Sequence, residues 1–390
     1  MPKSHTGPSP RRQRSRQQLL TAIRAHNGIT RSELSGVTGL SRSATAEGVQ
    51  DLLAKRLVAE HRTSPSLGRG RPSTLLIPVA TQGVVAGIDF GHNHVCVAVA
   101  EASGRVLAEH QCPVDVDHHA TVALDTAAKL LMRCLADAEL AGPDLISVAA
   151  GIPGPLDVKT GVVRSPTILS TWVDLDPTRE LSTRLGRPIR VDNDANMGAQ
   201  GELRFGGARG YRNFIYVKAS HGIGAGLVLN GETYHGGLGI AGEIGHTQLP
   251  DADNWCRCGN RGCLEAVVSI SEVRRQLAHV RPETAGDEPD RSLARIGTDP
   301  VAGRVIAAAG RTLGRVLADL CNALNPEAII LGGELGTAGA PLLLGVRDSI
   351  DRYAQPAAAH SVNVRSADLG LRSELMGAIA TAIQHANEMV

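Results

Sequence analysis

The chain has 390 residues, 42% of them hydrophobic and 20% charged, with a formal net charge of +1. This excludes a disordered or collagen-like chain and supplies core for two or three domains. No apolar run reaches the roughly 18 residues that span a bilayer, and none of signal-peptide type follows the basic start MPKSHTGPSPRRQRSR, so the expected place is the cytoplasm, with no membrane partner.

The near-neutral total hides a split. Residues 1–77 hold 13 Lys and Arg against four Asp and Glu, a surplus of nine positive charges that leaves the other 313 residues at −8. A basic head on an acidic body points to a polyanion as partner. Aromatic residues are only 2% of the chain, too few for holding single strands by base stacking, so duplex DNA is the expected polyanion.

Residues 1–15 read as a basic disordered tail and residues 16–77 as a folded head. In RQQLLTAIRAHNG, Leu19, Leu20 and Ile23 fall at helical spacing and Gly28 ends the helix. Thr30 with Glu33 is a capping-box pair for a short second helix, with Leu34 and Val37 facing inward. Gly39 turns the chain, and Ser41 caps a third helix, SRSATAEGVQDLLAKR. Its expected inward face is Ala44, Val49, Leu52 and Leu53, leaving Arg42, Ser43 and Thr45 to meet DNA. This is a helix-turn-helix whose last helix enters a major groove. LVAEHRT and STLLIP then form a β-hairpin wing, with Arg69 and Arg71 at a slim Gly-rich tip suited to a minor groove. Such a head makes the protein nucleoid-associated through its DNA.

Beyond residue 84, apolar strands end repeatedly in glycines or carboxylates, as in VVAGIDFG, ISVAAGIPGP, PIRVDNDAN and EAIILGGEL, with helical patterns between them. This order predicts an α/β body of two lobes around a cleft. The segment His279–Pro300 is charged, broken by Pro and Gly, and reads as a surface excursion. Three of the seven cysteines crowd into CRCGNRGC. His246, Cys256, Cys258 and Cys263 make one imidazole and three thiolates, a closed tetrahedral ligand set for one structural zinc per chain.

With a winged head before GIDFG, GIPGP, VDNDAN, GIGAGLVLNGETYHGG, AGEIGH, CRCGNRGCLE and IILGGEL, the chain resembles the regulator branch of the ROK family of repressors, open reading frames and sugar kinases. The body resemblance runs from about Val84 to the C-terminus. It implies an actin-like (ribonuclease H-like), two-lobed sugar-kinase fold over 84–390: lobe 1 at about 84–192 plus a returning C-terminal helix 373–390, and lobe 2 at about 193–372 with the zinc loop 246–265. By position it implies sugar contacts from Asn193, Asp194, Glu243, His246 and Glu265, Asp194 being the base where kinase activity is retained. His246 would serve both metal and sugar, one ring nitrogen to each.

The nucleotide side departs from the family. Asp89 and Gly91, Gly222 and Gly224, and Gly332 and Gly333 mark remnants of its phosphate loops, but His92, Asn93 and His94 replace a glycine, a hydroxyl and a cation, and His221 replaces a threonine. Imidazole bulk weakens a backbone nest for phosphate and the lost cation removes a charge partner, which argues against ATP and magnesium binding and against turnover. Thr167 stands where the family often has Asn. The expected function is a sugar-responsive transcription regulator, a repressor of carbohydrate genes. Its expected partners are double-stranded operator DNA, a sugar or sugar-phosphate effector, and its own copies in a homodimer or homotetramer. A second reading, an ATP-dependent, glucokinase-like sugar kinase with an attached DNA-binding head, stays open.

Overall fold

The computed structural model of the protein describes residues 10–26, 28–54, 57–62, 74–78, 83–157, 160–164, 169–280 and 292–389. The chain divides into two compact units, residues 1–82 with 386–390, and residues 83–385. The last residues of the C-terminal helix, from 386, group with the first unit.

The first unit contains α1 (Pro10–His26), β1 (Ile29–Thr30), α2 (Arg31–Thr38), α3 (Arg42–Ala54), β2 (Val58–Arg62) and β3 (Thr74–Pro78). α1 starts at Pro10, so the expected disordered tail to residue 15 is helical from that point; proline suits a first helical position because its φ is preset and no amide is wasted. Leu19, Leu20 and Ile23 of α1 are buried against Leu34 of α2 and Val49 and Leu52 of α3. The capping box forms as expected: Glu33 N donates to Thr30 Oγ1 at 3.3 Å and Thr30 N donates to Glu33 Oε2 at 2.9 Å. Gly39 takes the left-handed conformation that closes α2 (φ 68°), and Ser41 Oγ accepts from Ala44 N at 3.2 Å to start α3. β2 and β3 pair antiparallel with β1 on the far side of β3. Arg69 and Arg71, the expected wing tip, lie outside the described residues.

Two expectations for this unit fail. Val37 is 56% exposed, and Thr45 is 2% exposed, so Thr45 belongs to the core and not to the DNA-facing surface. The buried stripe of α3 runs through 45, 49 and 52, one residue out of phase with the expected start at Ala44. Arg42 and Ser43 are exposed, as expected.

In the second unit, β4 (Val84–Phe90), β5 (His94–Glu101), β6 (Val106–Pro113), α4 (Ala120–Asp137), β7 (Leu145–Ile152), α5 (Pro177–Leu185) and β8 (Ile189–Asn193) build the first lobe. Its sheet has the order β6-β5-β4-β7-β8, with β4, β7 and β8 parallel. Every residue of β4 is buried, as befits a central strand covered on both faces. The second lobe follows with α6 (Asp194–Phe205), β9 (Phe214–Ala219), β10 (Ile223–Leu229), β11 (Glu232–Thr233), α7 (Leu264–Val268), α8 (Ile270–Val280), α9 (Leu293–Ile296), α10 (Pro300–Leu324), β12 (Ala328–Gly332), α11 (Gly333–Gly336), α12 (Ala340–Tyr353), α13 (Pro356–Ser361) and β13 (Asn363–Ser366); α14 (Ser373–Met389) ends the chain. The second sheet has the order β11-β10-β9-β12-β13, and α10 and α12 bury Leu313, Leu317 and Val346 with its Ile329 and Leu331.

α6 is the element on which both sheets converge. Its Met197 packs on Gly151 of β7, and a Cβ at Gly226 of β10 would come 2.4 Å from the Ala195 carbonyl. α14 closes on α6 at Gly377, where a Cβ would fall 1.6 Å from the Met197 carbonyl, so only glycine permits that approach. Asp194, the first residue of this wedged helix, is thereby held between the lobes.

Thr45 Oγ1 is buried without a hydrogen-bond partner, and an unsatisfied hydroxyl costs about 1–3 kcal/mol. Thr45→Val is therefore expected to raise the unfolding midpoint of the head by about 1 kcal/mol of stability in urea denaturation, with no loss of DNA affinity in a gel shift. Lower stability, or weakened DNA binding by the folded variant, would restore Thr45 to the surface.

Candidate functional site

The loop 246–263 begins with a single 3-10 turn, Ile244–His246, and ends where α7 starts. Two short bridges, Gln248 to Cys263 and Trp255 to Arg261, tie it, and Gly262 (φ 72°) folds it tightly enough that a Cβ there would meet the Ala252 carbonyl at 2.4 Å. His246, Cys256, Cys258 and Cys263 come together, all four ligand atoms within 4.8 Å of one another, in a cluster able to hold a metal ion. Cys258 and Cys263 Sγ are 3.7 Å apart, and Cys256 Sγ is 3.7 Å from His246 Nδ1. A tetrahedral ion with metal–sulfur bonds of about 2.3 Å has sulfur–sulfur edges of about 3.8 Å, so the spacing fits. Burial and the neighbouring sulfurs push the Cys263 thiol up to about 12. Three thiolates therefore need a cation to coexist there.

Asn193, Asp194, Glu243, His246 and Glu265 all line one pocket of about 50 Å³, with Gly222 and Gly224 in its wall. His246 turns Nδ1 toward the cysteines and Nε2 toward Glu243 Oε2 at 3.8 Å, the two-sided arrangement expected of it. Burial, with the Asp194 and Glu265 charges nearby, raises Glu243 to about 7, so at neutral pH this carboxyl can donate as well as accept. Asn193 does double duty: its Oδ1 accepts from Ala195 N at 2.8 Å to cap α6, and its Nδ2 donates to the Gly154 carbonyl at 3.2 Å. Glu265 Oε2 accepts from Ile223 N at 3.0 Å.

The remaining loop residues go elsewhere. Asp89, Gly91 and Gly333 line an adjoining cavity of about 350 Å³, whereas Gly332 lies under the Tyr216 ring. The His94 ring rests on Gly91, where a Cβ would come within 2.2 Å of it, and its Nε2 lies 3.3 Å from Asp89 Oδ2. Burial opposes ionisation of Asp89, but the His94 hydrogen bond and the Lys218 charge outweigh it and hold the carboxyl below its ordinary range. Burial likewise lowers His221, with help from His92. Thr167 lies outside the described residues.

Sequence reasoning missed three residues. Lys218 of β9 lines both cavities and donates from Nζ to Asp194 Oδ2 at 2.7 Å. Burial lowers its pKa, but Asp194, Glu374 and Asp89 more than reverse this and hold the ammonium above the ordinary lysine value. A lone lysine inside the apolar strand FIYVKA was the available signal, since a buried lysine requires a carboxylate partner. Arg257, between two of the cysteines, donates from Nη1 to Asp117 Oδ2 at 3.0 Å, and its Nη2 lies 3.6 Å from Glu265 Oε1. Asp117, in the loop between β6 and α4, also lies 2.7 Å from His92 Nδ1. His92, Asp117, Arg257 and Glu265 thus form a charged chain from the first lobe to the second. Nothing local in the sequence marks Asp117, because its partner is 140 residues away.

Residues 85–385 match the family model described as the ROK family. The xylose repressor of Bacillus spizizenii is 27% identical over 95% of this chain and 95% of its own. The glucokinase of Halalkalibacterium halodurans is 30% identical over 78% of this chain and 96% of its own. Among solved structures, a ROK family transcriptional regulator homologous to the Mlc protein of Escherichia coli superposes with a TM-score of 0.80 at 25% identity, covering 97% of each chain.

Removing one partner of a buried ion pair leaves an uncompensated charge and costs about 3–5 kcal/mol. Lys218→Met is expected to destabilise the body by that order in urea unfolding, and adding Asp194→Asn should recover most of the loss. Additive losses in the double variant would mean that the two side chains do not depend on each other.

Proposed function

Because the chain belongs to the ROK family, we propose that it is a sugar-responsive transcriptional repressor whose body binds a sugar or sugar phosphate and whose head binds operator DNA. The observation that carries this is the extent of the likeness: the xylose repressor matches head and body together, whereas the glucokinase leaves the head unmatched. In this reading the head is a winged helix-turn-helix. α3 lies in the major groove with Arg42 and Ser43 at its leading end, and Arg69 and Arg71 reach the minor groove. In the cleft, Asp194, Glu243, His246 and Glu265 hold the sugar hydroxyls, with Asn193 fixing the start of α6. A ligand shifts DNA binding only by binding one arrangement of the heads better than another, which a homodimer or homotetramer on a palindromic operator provides.

Zinc is the ion that His246, Cys256, Cys258 and Cys263 would hold, one per chain and structural, because four protein ligands leave no open position. Held there, the ion supplies a fixed anchor for the loop and no reaction. The kinase reading keeps one favourable observation, the place of Asp194 in the pocket. Another opposes it: His94 covers the first phosphate loop.

Elemental analysis is expected to find one zinc per chain, and Cys258→Ser to lose it, with the thiols of the wild-type loop protected from alkylation; zinc-free wild-type protein with freely alkylated cysteines would refute the site. The function itself is tested by gel shifts on an operator fragment. DNA affinity should fall steeply with salt as counterions are released, fall again in Arg42→Ala, and change when the sugar found by a thermal-shift panel is added. Asp194→Asn should weaken that sugar about ten- to hundred-fold through loss of a charged hydrogen bond of about 1.5–3 kcal/mol. Turnover of that sugar with ATP and magnesium near 1 s⁻¹ or faster, the usual kinase range, would instead establish the kinase.

A further inference from the structure

A second cavity, of about 680 Å³, shares His92, Arg257 and Glu265 with the 50 Å³ pocket as a common wall. The smaller pocket as it stands is too tight for a sugar ring, while the larger falls in the usual size range of small-molecule sites. Its other walls carry hydrogen-bonding groups from both lobes, among them Asp115, His118, Ser269 and Ser271, and one aromatic ring, Trp255. The chain has only two tryptophans. Trp172 is fully buried, whereas Trp255 is 68% exposed. A single exposed apolar side chain is ordinary, but this one lines a cavity beside the sugar pocket and its plane is held: the Arg261 guanidinium sits 4.0 Å from the ring centroid and the two residues are bridged.

We infer that the cavity beside Trp255 is a second saccharide subsite, so that the effector is a glycoside of at least two sugar units. With Arg257, which lines both cavities, moved aside, one unit reaches the polar groups of the inner pocket and the next stacks on the indole of Trp255. A pyranose suits this wall on both counts. Its axial C–H bonds, slightly positive, favour the electron-rich face of an indole, and its hydroxyls need the donors and acceptors around the rim. The charge pattern favours a neutral unit over a phosphorylated one. Arg257 is already paired with Asp117 and Glu265, His92 with Asp117, and His118 with Asp115. Arg257 is also the divider: its contact with Glu265, at 3.6 Å, is the loosest of its pairings, and its displacement joins the two cavities into one site long enough for a disaccharide.

This inference rests on the sugar-binding reading, and the test separates the two. Zinc-loaded, full-length protein is titrated by calorimetry with glucose, xylose, galactose and N-acetylglucosamine, and with cellobiose, xylobiose, lactose and chitobiose, while tryptophan emission is followed. At least one disaccharide is expected to bind tenfold or more tighter than its monosaccharide and to shift the emission, which reports Trp255 because Trp172 is buried. Trp255→Ala should bring that disaccharide down to the monosaccharide's affinity, leave the monosaccharide and the metal content unchanged, and be partly rescued in Trp255→Phe. Monosaccharide binding with no gain from the second unit, or a gain that survives Trp255→Ala, overturns the second subsite alone. Binding of none of the eight sugars overturns the sugar reading and this inference with it.

Discussion

The cluster of His246 with Cys256, Cys258 and Cys263 is the constraint on which the rest of the cleft depends. A stretch of 18 residues with almost no regular structure supplies one wall of the pocket, and its own hydrogen bonds are a few turns and two bridges. Such a loop has too little buried apolar surface to hold side chains within a fraction of an ångström against its conformational entropy. Ligating four atoms that already lie within 4.8 Å of one another removes that freedom at a stroke. What hangs from the cluster is the outward nitrogen of His246, Glu265 as the second residue of α7, Arg257 between two of the cysteines, and Trp255 just before the first. The metal would act as a hinge pin for recognition groups, not as chemistry.

On the other wall, the same economy is achieved by charge. Asp194 begins a helix that both sheets grip, and Lys218 reaches it from β9 across the floor of the cleft. The pair balances the charge of a buried carboxylate and fixes its position in the cleft. Beside it, the His94 ring lies against Gly91 and its Nε2 is 3.3 Å from Asp89 Oδ2, at the edge of the adjoining cavity.

Much of this was legible in the sequence because it is local. The capping box at Thr30 and Glu33, the helix stop at Gly39, the apolar strand at VVAGIDFG and the cysteine spacing each depend on residues within a few positions of one another, and each formed as read. The five pocket residues were legible only through resemblance, since 193, 243 and 265 are brought together by topology. What escaped was decided by tertiary contact. Thr45 was misassigned because the phase of a three-turn helix is set by what it packs against, and one residue of error exchanges core for surface. Arg257 and Lys218 were visible as charges in unusual places, but their partners, Asp117 and Asp194, sit on the opposite lobe or on another element. The resulting charged chain across the cleft has no sequence signature.

If the metal cluster holds the sugar-binding wall in place, sugar affinity must follow metal content as the ion is removed stepwise from wild-type protein with a chelator and then restored with zinc. The fraction of protein able to bind sugar is expected to fall in proportion to metal content and to return on reloading, while the head's affinity for DNA in the absence of sugar stays constant. Undiminished sugar affinity in fully metal-free protein would show that the wall stands without the ion.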